Sequence, residues 1–137
     1  MPEHDLSLLC EAARDSAAIA MRFWRRTLQA WDKGGDLGPV TEADLAVNAH
    51  LQELLPAARP EYGWLSEETP DDTTRLAHSR VFIVDPIDGT RAFMAGEDNF
   101  AISLAVAEAG QVIAGAVMLP AKDRLYWAAK GLSLIHI

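Results

Sequence analysis

The sequence predicts an α/β fold in which two long helices pack on a mainly antiparallel sheet. Apolar residues recur at helical spacing in the first part of the chain, whereas the later part carries short runs of β-branched and aromatic residues separated by turn-forming residues. The chain has 137 residues, and 50% of them are hydrophobic. This length and composition suffice for a single domain with its own core.

The first helix is predicted over about residues 5–31, because apolar side chains recur there at steps of three and four. The stripe, which we expect in the core, consists of Leu6, Leu9, Ala13, Ala17, Ala20, Trp24, Leu28 and Trp31. Trp24 and Trp31 could instead form a ligand-stacking pair, but aromatic residues at helical spacing more often serve packing. Residues 33–39 follow as a flexible connector, too short and irregular for a phosphate-cradling P-loop.

The second helix is predicted over about residues 42–55, with Pro56 ending it. Its inward-facing residues are Val47, Leu51 and Leu54. Thr41 and Asp44 have the spacing of a capping box, with Asp in place of the usual Glu or Gln. Capping alone could explain Asp44. A carboxylate in the first helical turn could also accept a hydrogen bond from a hydroxyl such as that of Thr90.

Apolar runs in the remaining chain predict the strands of the sheet. The run over residues 62–65 leads through Ser66 to the acid pair Glu67 and Glu68, which is either a carboxylate-bearing strand end or a solvated acidic loop. The β-branched run over residues 80–84 is typical of an interior strand. Three later runs predict an antiparallel meander, and they cover residues 100–107, 111–118 and 124–129.

The most informative motif is Asp-Pro-Ile-Asp-Gly-Thr at residues 85–90, directly after the interior strand. It places carboxylates at the strand's carboxyl end, where ligand sites of α/β sheets lie. Pro86 favours a sharp bend that lets Asp85 and Asp88 face one point. Gly89 permits close backbone approach, and Thr90 begins a short predicted helix whose N–H groups attract phosphate. The alternative is an ordinary β-turn built from Asp, Pro and Gly.

Charge and hydropathy exclude several classes of function. With 12 basic and 20 acidic side chains, the formal net charge is −8, which argues against binding a nucleic acid polymer or an anionic membrane surface. The apolar runs are too short to span a bilayer and the N-terminus lacks the order of a secretory signal, so a cytoplasmic location is expected. A single cysteine, Cys10, excludes an internal disulfide, and the histidines lack zinc-ligand spacing.

In this order and spacing, the segments 40–44, 66–69 and 85–90 resemble the inositol monophosphatase family of Mg²⁺-dependent, lithium-sensitive phosphomonoesterases. The resemblance implies the first half of a stacked αβαβα sandwich. It implies metal ligands at Glu67, Asp85, Asp88 and the carbonyl of Ile87, a catalytic role for Glu67, a water-orienting pair Asp44 and Thr90, and phosphate contacts from Asp88, Gly89 and Thr90. Lys33 matches a family lysine near the metal.

Two departures from the family pattern limit what the resemblance implies. Ser66 stands where the family usually has Gly, and the family's second half, with its Trp-Asp motif, is missing. We expect a truncated phosphatase domain over residues 1–131 and a foreign tail over residues 132–137. Inositol phosphates, histidinol phosphate and 3′-phosphoadenosine 5′-phosphate remain open as substrates, and the segment 88–93 favours the latter two. A homodimer, or an inactive fragment that only binds metal or self-associates, also remains open.

Overall fold

The computed structural model describes residues 2–34, 38–71, 73–131 and 135–136. The helices are α1 (Pro2–Met21), α2 (Glu42–Ala58) and α3 (Thr90–Met94). The strands are β1 (Ala30–Asp32), β2 (Pro39–Thr41), β3 (Gly63–Ser66), β4 (Arg80–Asp88), β5 (Ala101–Glu108), β6 (Gln111–Leu119), β7 (Arg124–Ala129) and β8 (Ile135–His136). Short 3₁₀ turns cover Thr74–Ala77 and Pro120–Lys122.

Six of the strands form one sheet in the order β3-β4-β5-β6-β7-β8, while β1 and β2 pair separately as a hairpin. Every pairing in the large sheet is antiparallel except that of β3 with β4, which is parallel. The predicted meander and the mainly antiparallel sheet are therefore confirmed. Because β3 and β4 run the same way, their carboxyl ends meet at one edge of the sheet.

The two long helices cover one face of this sheet, as predicted. Alternation along β5 buries Ile102, Leu104 and Val106 against the helices, where they join Leu9 of α1 and Leu51 of α2 in the core. On the opposite face Ile83 and Val117 keep 37% and 38% of their surface exposed. The described residues therefore leave one sheet face open to solvent.

The first helix ends ten residues before the predicted boundary, at Met21 rather than near residue 31. The cause is tertiary: the indole N–H of Trp24 donates to the carbonyl of Glu97 at 3.1 Å, and the Arg25 guanidinium donates to the carbonyl of Gly96 at 3.0 Å. Arg25 also has φ +59°, which breaks the helical path. Trp31, predicted in the core, lies in β1 and is 47% exposed.

Smaller differences concern α2, the connector and the chain end. Helix α2 runs to Ala58, since Pro56 is accommodated in its last turn, and Leu55 is fully buried whereas Leu54 is only partly so. The predicted connector is the loop of the β1–β2 hairpin, and residues 35–37 lie outside the described residues. In the predicted tail, Ile135–His136 pairs with β7, and the foreign origin of residues 132–137 stays a prediction.

Candidate active site

An irregularity in β4 places the two motif aspartates on the same side of the sheet. Asp85 is opposite Ser103 and Asp88 is opposite Ala101, so three steps along β4 match two steps along β5. Ser103 and Ala101 share a face because they are two residues apart, and their partners must share it as well. The extra residue is a β-bulge. The two aspartates thus share one face through a bulge within β4, where the sequence predicted a sharp bend at Pro86, and their convergence on one ion stays a prediction.

The capping box that opens α2 also contacts the motif. The Thr41 hydroxyl accepts the N–H groups of Ala43 and Asp44, and the carboxylate of Asp44 accepts the Thr41 N–H at 2.9 Å. The other carboxylate oxygen of Asp44 accepts the Thr90 hydroxyl at 3.0 Å. Asp44 is fully buried, so both its capping role and its contact with Thr90 are part of the packed interior. The two roles predicted for Asp44 coexist.

The hydroxyl of Thr90 is held on two sides. It lies 3.0 Å from the Asp44 carboxylate and 3.2 Å from the carbonyl oxygen of Ile87. A hydroxyl has one proton to donate, and both of these neighbours are acceptors. The lone pairs of the Thr90 oxygen therefore remain available to accept a hydrogen bond from a molecule in the pocket.

The acid pair after β3 divides into one exposed and one buried carboxylate. The N–H of Glu67 donates to the carbonyl of Val84 at 3.1 Å, which extends the parallel pairing by one bond and leaves the Glu67 side chain exposed. The side chain of Glu68 is 4% exposed and lies 3.3 Å from the ammonium of Lys33. Burial raises the pKa of Glu68 against the lowering effect of Lys33. The alternative of a solvated acidic loop therefore fits Glu67 but not Glu68.

Negative charge accumulates around Asp85. Burial raises the pKa of Asp85 to about 7, and the neighbouring carboxylates add to the rise: Asp88, Glu67, Glu68 and Asp44. A carboxylate with so high a pKa lies in a site where the negative charge is undercompensated. Such a site gains free energy from a cation, which removes the repulsion that the proton otherwise removes.

A cavity of about 300 Å³ collects the predicted site residues. It is lined by Lys33, Pro39, Glu67, Glu68, Asp85, Ile87, Asp88, Gly89, Thr90 and Arg91. Asp44 lies beneath this lining and reaches it through Thr90. A larger groove of about 560 Å³ adjoins the cavity at Pro39 and Arg91, but its other lining residues come from β1 and from α3 with the residue that follows it. The carboxylate-lined cavity is the better candidate for the active site, because the carboxylate, hydroxyl and basic side chains of the predicted site line it together.

The oxygen ligands lining the cavity are of the kind that Mg²⁺ prefers, although the protein side chains alone do not complete its coordination shell. Carboxylate and carbonyl oxygens are the hard ligands that Mg²⁺ takes, together with waters and phosphate oxygens. Within residues 2–34, 38–71, 73–131 and 135–136, no three His, Cys, Asp or Glu side chains are close enough together to hold a metal ion. An ion at this position would therefore need several ligands from water or substrate, which is the usual situation of Mg²⁺.

The backbone conformation and the close contacts at residue 89 require glycine. Its φ is +90°, and a Cβ there would lie 3.3 Å from the carbonyl oxygen of Asn99 and 3.4 Å from the Cα of Phe100. Gly89 caps α3, and its carbonyl accepts the N–H of Phe93 at 2.9 Å. The short helix predicted from Thr90 is confirmed as α3, and its first residues, Thr90 and Arg91, line the cavity.

Two residues of the site were not predicted from the sequence. Arg91 lines the cavity beside Thr90 and supplies a second positive charge in addition to that of Lys33. Asn48 is buried in α2 and contacts Ser66 and Thr69 of the acidic turn. Asn48 could have been found, since it follows Asp44 by four residues and therefore shares its helix face. Arg91 carries no comparable signal, because a single basic residue in a short helix is most often solvated.

The comparisons with known proteins give a family and a fold. The structure is a layered α/β domain with a carboxylate-lined cavity at one edge of its sheet. The family model described as "Inositol monophosphatase family" matches residues 1–135. The chain belongs to this family.

Two curated relatives and one solved structure illustrate the match. The histidinol-phosphatase of Mycobacterium tuberculosis is 40% identical over 130 residues, which are 93% of this chain and 49% of the relative. The inositol-1-monophosphatase of Caulobacter vibrioides is 38% identical over 126 residues, which are 90% of this chain and 48% of the relative. The structure of the Thermotoga maritima IMPase aligns with a TM-score of 0.86 and 30% identity, covering 99% of this chain and 51% of that one. The chain spans about half the length of these relatives.

The described part of the chain contains no helix that is long and apolar enough to cross a membrane.

Proposed function

We propose that the chain forms the metal- and phosphate-binding half of an enzyme that hydrolyses a small phosphate monoester with Mg²⁺ as cofactor. The observation that carries the proposal is the shared cavity, which is lined by Glu67, Asp85, Ile87 and Asp88 and in which the pKa of Asp85 is raised to about 7 by burial and by the neighbouring carboxylates. Membership of a family whose named members include phosphatases supports it.

Each residue has a proposed role with a physical reason. Glu67, Asp85, Asp88 and the Ile87 carbonyl would hold the ion through oxygen. When bound, Mg²⁺ would lower the pKa of a coordinated water and offset charge on the phosphoryl group. Thr90 would accept a hydrogen bond from the attacking water, because Asp44 takes the proton of its hydroxyl. The amides of Gly89 and Thr90, together with Arg91, would hold the phosphate in line for attack.

The substrate class remains a proposal at the level of small phosphate monoesters. Histidinol phosphate and inositol phosphates are each named for one of the curated relatives described above. The 3′-phosphoadenosine 5′-phosphate alternative rests on the sequence segment 88–93. Lithium sensitivity and a homodimer are proposals from the family resemblance, and a cytoplasmic location is a proposal from the sequence.

A second candidate function is metal binding or self-association without turnover. It is favoured by two observations, the half-length coverage of the relatives and the open sheet face that carries Ile83 and Val117. A site that is short of protein ligands binds Mg²⁺ weakly and positions substrate poorly.

The test is release of inorganic phosphate from the three named substrates, measured with and without Mg²⁺. It uses the chain alone and a chain extended with the natural downstream sequence. We expect phosphate release by the extended chain to depend on Mg²⁺. Release should fall by at least about a hundredfold in Asp88→Asn, because Asp88 is a proposed ligand of the ion. Folding should be nearly unchanged, because Asp88 is exposed and has no role in the core. Asp98→Asn serves as control, since Asp98 is exposed outside the cavity lining. Near-normal release by Asp88→Asn at low Mg²⁺ would refute the metal assignment.

A further inference from the structure

Helix α2 presents a second buried polar side chain, Asn48, one turn after Asp44. The two side chains serve different strand ends. Asp44 accepts the hydroxyl of Thr90 at the start of α3, just after β4, and Asn48 contacts the turn after β3. Proposed ligands of the ion lie at both places, because Glu67 follows β3 and Asp85, Ile87 and Asp88 lie at the carboxyl end of β4. One helix face is thereby connected to both halves of the site.

The contacts of Asn48 form a continuous chain of hydrogen bonds. The Ser66 hydroxyl donates to the side-chain oxygen of Asn48 at 2.5 Å, and the side-chain nitrogen of Asn48 donates to the Thr69 hydroxyl at 3.0 Å. The Ser66 hydroxyl also accepts the N–H of Glu68 at 3.2 Å. Ser66 is 6% exposed and so is Asn48. These bonds lie in a buried setting, where successive bonds polarise one another.

The chain of bonds fixes the backbone that carries Glu67. On one side, the N–H of Glu67 donates to the carbonyl of Val84 in β4. On the other side, Glu68 is tied through Ser66 to Asn48 of α2. Glycine in place of Ser66 would remove the hydroxyl and leave the Asn48 oxygen and the Glu68 N–H without these partners. Such losses cost free energy and loosen the turn.

We propose that Asn48 and Ser66 are positioning residues for the metal site, holding the turn that carries Glu67 at a fixed distance from Asp85. The inference rests on the proposed function, because the ion is the one assigned there. Asn48 and Ser66 do not line the cavity themselves and act through Glu67. Residues that orient a ligand from behind typically contribute about ten- to a hundredfold to metal affinity.

The test is calorimetric titration of Mg²⁺ into the chain and its variants, with thermal unfolding of each variant in parallel. Asn48→Ala and Ser66→Gly should weaken Mg²⁺ binding by about tenfold or more. Ser66→Thr, which keeps the hydroxyl, should restore binding to near the parent value. Val47→Ala is the matched control, because Val47 is fully buried in the same helix beside Asn48. It should lower Tm and leave Mg²⁺ affinity unchanged.

The outcomes separate the positioning role from the proposed function. Parent-like Mg²⁺ affinity in both Ser66→Gly and Asn48→Ala would overturn the positioning role and leave the proposed function standing. Affinity that simply follows Tm in every variant, Val47→Ala included, would overturn it as well. If neither the parent chain nor the extended chain binds Mg²⁺, both the proposed function and the inference fail. Should Asn48→Ala not fold, Ser66→Gly and Ser66→Thr decide the matter.

Discussion

Replacing Asp85 by Asn should have opposite effects on stability without and with Mg²⁺. Burial and the surrounding carboxylates raise the pKa of Asp85 from its ordinary value of 3.8 to about 7. At pH 8 the carboxylate is ionised in the folded and unfolded chains, and only the folded chain has to bear the repulsion. Asp85→Asn removes that repulsion, so the metal-free variant should be more stable than the parent at this pH.

The size of the effect follows from the same values. The difference between 3.8 and about 7 would be worth about 4 kcal/mol in a dry site, but Asp85 lines an open cavity and solvent screening reduces the expected gain to about 1 kcal/mol. That corresponds to a rise in Tm of roughly 3 to 5 °C. Parent stability should also rise as pH falls from 8 through about 7, and this gain is complete below the unfolded value near 4.

Mg²⁺ should reverse the order of stability, so that the parent becomes more stable than Asp85→Asn. An ion at one hundred times its Kd stabilises the parent by about 2.7 kcal/mol, and a tenfold weaker site leaves about half of that gain. The assay is thermal unfolding of parent and Asp85→Asn in EDTA and in Mg²⁺ at pH 8, with Asp98→Asn as the control for loss of an exposed charge. A lower Tm for Asp85→Asn in EDTA, together with a full response to Mg²⁺, would refute the assignment.

Three further predictions follow from named contacts. In the extended chain, Thr90→Ala should cut turnover strongly. Adding Asp44→Asn to Thr90→Ala should lower turnover much less than Asp44→Asn does alone, because the two residues act as one unit. If the two losses in phosphate release are additive, Asp44 is only a helix cap. Gly89→Ala should lower the free energy of unfolding by about 1–2 kcal/mol, since φ is +90° and the Cβ approaches Asn99 and Phe100; urea unfolding checks it, and an unchanged midpoint would contradict it. The chain alone should self-associate through its open sheet face, and Val117→Lys should reduce that association in light scattering; a monomeric parent would show that the face is not sticky.

The local signals of the sequence predicted much of the site. The capping spacing of Thr41 and Asp44 appears in the structure with both hydrogen bonds, and the predicted contact with Thr90 is present at 3.0 Å. The strand ends at Ser66 and near Asp85 lie side by side because β3 and β4 are parallel neighbours, a pairing that the sequence did not predict. The helix cap depends on short-range geometry, which sequence spacing encodes directly, whereas the contact between Asp44 and Thr90 joins residues 46 positions apart in the sequence.

Features that depend on distant contacts were beyond such reasoning. Helix α1 ends early because Trp24 and Arg25 bond to backbone carbonyls more than seventy residues away. The bulge in β4 is defined only by the register against β5, so Asp88 was predicted after a bend instead of within the strand. The role of Asn48 becomes visible only in the folded chain, where the turn after β3 lies against α2.

The central claim is that the cavity between the ends of β3 and β4 binds a divalent cation. The most direct measurement is paramagnetic broadening of backbone amide signals by substoichiometric Mn²⁺, which takes the same hard oxygen ligands as Mg²⁺. The account predicts broadening centred on Glu67, Asp85 and Asp88, reversed by excess Mg²⁺ and lost in Asp85→Asn. Broadening centred elsewhere, or unchanged in Asp85→Asn, would contradict it.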